Sequence, residues 1–137
     1  MKALPLRLPP GADLRKSIEA VVLPEGAGGA FVASGIGSLT DPRIRFAGAT
    51  TETVLKGEYE LLSLAGTVTC DGAHLHVSVS DAGGSVIGGH LVYGNEVRTT
   101  AEILLIVLFG WGLSREHDPT TGFKELAVRS GEGKDAA

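Results

Sequence analysis

Leu4, Leu6 and Leu8 alternate with Pro5 and Arg7 at the start of the chain, the period of two that marks a strand. A proline cannot donate to a central ladder, so this strand belongs at a sheet edge. Pro9-Pro10-Gly11 ends it, and the period then changes. Asp13 stands where a helix N-cap is needed, and Leu14, Ile18, Val21 and Val22 recur at helical spacing until Pro24 stops the run. The apolar stripe of this one main helix calls for a sheet to pack on.

Beyond Glu25 the pattern predicts strands. Ala30-Phe31-Val32-Ala33 reads as a short buried one, followed by Ser34-Gly35-Ile36-Gly37-Ser38. Arg43-Ile44-Arg45-Phe46 alternates cleanly, and Glu52 to Leu55 does so more weakly. Tyr59 to Thr69 is long, with Leu62, Leu64 and Val68 assigned to one face and Leu61 and Ala65 to the other. Glu96 to Leu108 begins polar and becomes continuously apolar, as in a strand covered on both faces. Leu113 to His117 and Phe123 to Val128 flank Asp118-Pro119-Thr120-Thr121-Gly122, whose composition predicts a turn. Residues 130–137 are small and polar and read as a flexible tail, leaving residues 1–129 as one domain.

The expected fold is therefore α+β: one mostly antiparallel sheet with one main helix against it. Several strands are apolar on both faces, more than one helix can cover, so a homo-oligomer is the economical expectation.

Between Cys70 and Tyr93 the sequence specifies a hairpin and its register. A two-residue loop would pair Leu75 with His90, mixing apolar with polar partners. A three-residue loop, Ala82-Gly83-Gly84, pairs Asp81 with Ser85, Val79 with Ile87, Ser78 with Gly88 and His76 with His90. It sorts polar from apolar residues, which a slip of one would scramble, and gives a glycine the left-handed position. His74, two residues before His76, shares its face. Three imidazoles on one face can hold a divalent metal, zinc first, with a fourth position left for water or substrate. Nickel, copper and iron also accept nitrogen ligands. The blander alternative is a polar sheet face with hydrogen-bonded histidines.

Charge and composition narrow the function. The net charge is −4 over 137 residues, with no basic run, which argues against strong unaided nucleic-acid binding. The apolar run from Ile103 to Leu113 is too short for a membrane span, the N-terminus lacks the apolar core of a secretory signal, and a single cysteine excludes an intrachain disulfide framework. A cytoplasmic location is the expectation. Glu102, just ahead of an apolar run, is the weak candidate for a catalytic acid or base at the metal, with an ion pair to Arg98 as the plainer reading. Glu58 and Glu60 fit an exposed strand face, Cys70 a turn, and His117 a strand end. Gly35-x-Gly37 lacks the third glycine and the following helix of a dinucleotide site.

Ser34-Gly35-Ile36-Gly37-Ser38, Gly57-Glu58-Tyr59-Glu60-Leu61-Leu62-Ser63-Leu64-Ala65-Gly66, His74-Leu75-His76-Val77-Ser78, Gly88-Gly89-His90-Leu91 and Val97-Arg98-Thr99-Thr100-Ala101-Glu102 follow one another in the order of a known family. Over roughly Ala3 to Val128 the chain resembles the plants-and-prokaryotes conserved (PPC) domain. The resemblance implies an antiparallel α+β fold assembled as a homotrimer. In plants it implies a nuclear regulator, with an AT-hook ahead of the domain, that binds itself and other transcription factors. For prokaryotic members it implies single-domain proteins, often labelled predicted DNA-binding proteins, with a poorly defined function. No Arg-Gly-Arg-Pro AT-hook occurs here, and the plant domains generally lack the histidines. What looks like a metal site in prokaryotic relatives maps onto His74, His76 and His90. Two readings follow: a metal-binding trimer with a regulatory, DNA-associated or partner-binding role, or a zinc-dependent hydrolase or other small-molecule enzyme using the same histidines.

Overall fold

The alternating leucines at the start of the chain form β1 (Lys2–Leu8), and the helical run forms α1 (Leu14–Glu19). The remaining elements are β2 (Ala27–Thr40), β3 (Arg43–Arg45), β4 (Thr53–Val54), β5 (Glu58–Thr69), β6 (Gly72–Ser80), β7 (Val86–Leu91), β8 (Glu96–Phe109), β9 (Trp111–His117) and β10 (Lys124–Ser130). The structure is a computed structural model and describes residues 1–131. Strands one to eight form a single sheet in the order β1-β8-β2-β5-β6-β7-β3-β4, and β9 and β10 form a separate ribbon. Every ladder among the described residues is antiparallel.

The proline-bearing β1 lies at one edge of the sheet, where Pro5 removes no central hydrogen bond. Asp13 caps α1 by accepting a hydrogen bond from the Lys16 amide at 2.9 Å, and Leu14 and Ile18 are fully buried against the sheet. The helix is shorter than its apolar spacing predicts. It ends at Glu19 with Ala20 as C-cap, and Val22 is 90% exposed. Adjacent β-branched residues are weak helix formers, and Pro24 biases Leu23 away from helical geometry, so the valines do not extend it.

Two further expectations are corrected. The short strand at Ala30 is the middle of a fourteen-residue strand that includes the Gly35-x-Gly37 segment, with register shifts at Ala27/Gly29, Val32/Ser34 and Gly37/Leu39. In β5, Leu61, Leu64 and Val68 face the core, while Leu62 is 45% exposed. A bulge between Leu61 and Ser63 changes the phase of alternation there.

The core lies between α1 and one face of the sheet: Ala101, Ile103, Leu105 and Val107 of β8 belong to it together with Leu75, Val77 and Val79 of β6 and Leu91 of β7. On the opposite face the β9–β10 ribbon folds back over the sheet. The carbonyl of Trp111 sits where a Cβ on residue 28 would be, so only glycine allows this approach. Leu113 is buried outside the main core, packed over Gly29. The ribbon turn at Asp118–Gly122 matches its sequence signature, with the Asp118 amide donating to Phe123 O and its carboxylate accepting from the Thr120 amide. β10 continues through Ser130, and the rest of the expected tail, residues 132–137, lies outside the described residues.

Candidate metal centre

Alternation along β6 sends Ala73, Leu75, Val77 and Val79 into the core and His74, His76 and Ser78 to the opposite face. The hairpin to β7 takes the register its polarity demands: His76 pairs with His90, Ser78 with Gly88 and Val79 with Ile87. Asp81 closes the loop. Its amide donates to Ser85 O, its carbonyl accepts from the Gly84 amide, and its carboxylate accepts from the amides of Gly83 and Ser85.

The three rings converge. Their centroids lie 5.0 Å (His74–His76), 5.5 Å (His74–His90) and 4.6 Å (His76–His90) apart, with His76 nearly perpendicular to the other two. One nitrogen from each lies within 4.8 Å of the others. A tetrahedral zinc with Zn–N bonds of about 2.0–2.1 Å needs nitrogens roughly 3.3–3.4 Å apart, which falls inside that limit. Burial, then the Arg115 guanidinium and the neighbouring imidazoles, holds His74 below the usual histidine range, with Glu125 opposing; burial, Arg45 and His76 do the same for His90. Both therefore favour the neutral form that ligates metal.

Arginines surround the cluster on the same face. Arg45 pairs with His90 across β3 and β7. Arg115 reaches from the ribbon to hydrogen-bond Thr67, the cross-strand partner of His74, and its amide donates to Asp71 at 2.8 Å. From the core side a second set of contacts holds the backbone. Arg15 donates to the carbonyls of Ala73 (3.0 Å) and Leu91 (3.2 Å), the residues next to His74 and His90. Glu19 pairs with Arg15, accepts from the Ala73 amide at 3.1 Å and binds the Tyr93 hydroxyl.

Glu102 is not brought to the histidines within the chain. It lies on β8, three strand positions from β6, which is roughly 14 Å at the ordinary interstrand spacing. It is exposed, so no desolvation cost marks it out, and it faces Arg7 across β1. The expected Arg98–Glu102 ion pair is replaced by Arg98–Glu58 at 3.0 Å. Glu60 is exposed opposite Ser80, Cys70 is exposed at the β5–β6 turn, and His117 is exposed at the end of β9. Sequence reasoning missed Arg15, Arg45 and Arg115. Alternation alone puts Arg45 opposite Ile44, but only the β3–β7 register puts it beside His90.

Comparison with known proteins agrees with this architecture. A Salmonella enterica protein described as hypothetical is 38% identical, with a TM-score of 0.89 and 94% of each chain covered. A metal-containing protein from Archaeoglobus fulgidus is 30% identical, with a TM-score of 0.78 over 91% of this chain and 92% of that one. The bifunctional protein GlmU of a Synechococcus strain is 40% identical over 93% of this chain, which spans only 21% of that relative's length. Residues 1–109 match the family model of the Plants and Prokaryotes Conserved (PCC) domain, and this chain belongs to that family.

Proposed function

We propose that this protein is a metal-binding PCC-domain module, in which His74, His76 and His90 hold one divalent cation, zinc by first choice. The observation that carries this reading is the convergence of three imidazole nitrogens within 4.8 Å on one sheet face. Neutral nitrogen ligands suit zinc and leave a fourth position for water or a ligand. The metal-containing Archaeoglobus relative supports it. The chain's own residues orient the rings: β6 and β7 fix their spacing, and Arg15 and Glu19 hold the backbone beside two of them.

The module acts as a cytoplasmic homotrimer with a regulatory or partner-binding role. Support for self-association lies on the face opposite the main core, where Phe31 (41%), Ile36 (51%) and Leu62 (45%) are exposed beside the half-buried Leu104, Ile106 and Leu108. No helix among the described residues is long and apolar enough to cross a membrane. A DNA-associated role is less favoured, because the net charge is −4 and phosphate contacts need clustered cations.

A metal-dependent hydrolase is the second reading. It is favoured by the exposure of His74 and His76, which leaves the centre open to solvent. When bound, an open zinc supplies a water of lowered pKa. The reading is weakened because no carboxylate joins the histidine group among the described residues. Metal analysis of protein purified without a histidine tag, with and without His76→Ala or His90→Ala, tests the centre. Metal content unaffected by either substitution contradicts it.

A further inference from the structure

Arg45 and Arg115 come from different elements and flank the histidine cluster on both sides. Both are half-buried, and neither forms an ion pair with a carboxylate among the described residues. Arg45 makes one side-chain hydrogen bond, to Ala49 O at 3.2 Å, and Arg115 makes one, to Thr67. A guanidinium carries five N–H donors, so most of the donor capacity of each remains available. Half-buried guanidiniums are ordinarily matched by carboxylates or phosphates.

The surface beside the cluster is also small. Ala65 lies opposite His76, and Ser63, Ser78 and Gly88 continue the same face next to it. None of these four residues places a bulky side chain next to the histidines. The acidic groups nearby are Glu125, which accepts from Thr121 at 3.1 Å, and Asp71, which takes the Arg115 amide. Three neutral ligands leave a divalent cation its full charge. With two guanidiniums added, those two carboxylates do not neutralise the site.

We propose that the open metal position, Arg45 and Arg115 together bind a small oxyanion, the carboxylate or phosphate group of a ligand. The inference rests on the metal-binding reading above and adds the chemical class of what that centre receives. Arg45 and Arg115 would donate to the oxygens of the anion, and a metal held by the three histidines would supply a Lewis-acid position beside them.

Cobalt(II) reports the test, because it occupies nitrogen sites like those of zinc and absorbs visible light. Tag-free protein is loaded with cobalt, freed of excess metal, assayed for metal content, and titrated separately with inorganic phosphate and with acetate. At least one anion is expected to change the visible spectrum saturably, and the stronger response tells phosphate from carboxylate. Arg45→Gln and Arg115→Gln are expected to retain cobalt but weaken the anion roughly tenfold or more, with partial recovery in Arg45→Lys and Arg115→Lys. Retained cobalt shows that each variant is folded. No saturable change with either anion overturns the oxyanion site and leaves the metal centre standing. An undiminished response in the Arg45→Gln/Arg115→Gln double variant does the same. A chain that takes up no cobalt overturns both, and the metal assay shows this before any anion is added.

Discussion

Arg15 donates at 3.0 Å to the carbonyl of Ala73, the residue immediately before His74, and so a helix on one side of the sheet holds the backbone beside a histidine on the other. The same guanidinium holds Leu91 O, next to His90, and stacks 4.3 Å from the Tyr93 ring centroid. Arg15→Met keeps the apolar stem but removes these bonds. It is expected to cost about 2–3 kcal/mol of stability. Metal affinity is expected to fall about tenfold as the two strands lose their common anchor. Denaturant unfolding and competition with a metal chelator measure the two effects separately.

Glu19 predicts an acid limb in the stability profile. Burial raises its pKa, but the Ala73 amide, the Tyr93 hydroxyl and Arg15 outweigh that and hold the carboxyl below its ordinary value. A folded-state pKa lower than the unfolded one stabilises the protein above the unfolded carboxylate range. That stabilisation is lost as pH falls through the lowered value. Glu19→Gln is expected to be less stable than wild type at neutral pH, and the difference should shrink on acidification. Thermal melts across pH check this; a gap that stays constant into acid contradicts the role given to the carboxylate.

Gly66 lies across from the His74–Leu75 backbone with a φ of 146°, and a Cβ there would approach His74 O to 1.9 Å. Gly66→Ala therefore combines an unfavourable backbone conformation with a clash against the strand that carries His74 and His76. A loss of about 3 kcal/mol or more is expected in chemical denaturation. A change of under about 0.5 kcal/mol, the range of ordinary surface substitutions, contradicts this geometry.

The hairpin was legible because its register leaves one choice. Only the three-residue loop keeps His76, Ser78, Gly88 and His90 on one face, and the observed pairing is that one. Elsewhere local pattern met long-range structure and lost. Val21 and Val22 continue a helical spacing, yet Ala20 caps the helix before them. Leu62 fits the alternation of its strand, but a bulge turns it outward. Glu102 had the right chemistry for a catalytic base, and strand order carries it away from the histidines. Arg45 and Arg115 carried no signal of their own, since their closeness to the histidines comes from the β3–β7 register and from the ribbon folding back.

The exposed apolar face predicts self-association. Light scattering is expected to give three times the 14.1 kDa chain mass. Ile36→Glu with Leu62→Glu places charges on that face away from the main core, and is expected to give monomers that retain secondary structure. An unchanged mass in the variant moves the contact to another surface, and a monomeric wild type rules out the trimer.

Metal quantification on tag-free protein, repeated on His76→Ala and His90→Ala, tests the centre most directly. The three-histidine site predicts about one metal ion per chain in wild type and its loss in both variants, with each variant still folded. Wild-type protein without stoichiometric metal, or variants that keep as much as wild type, would contradict it.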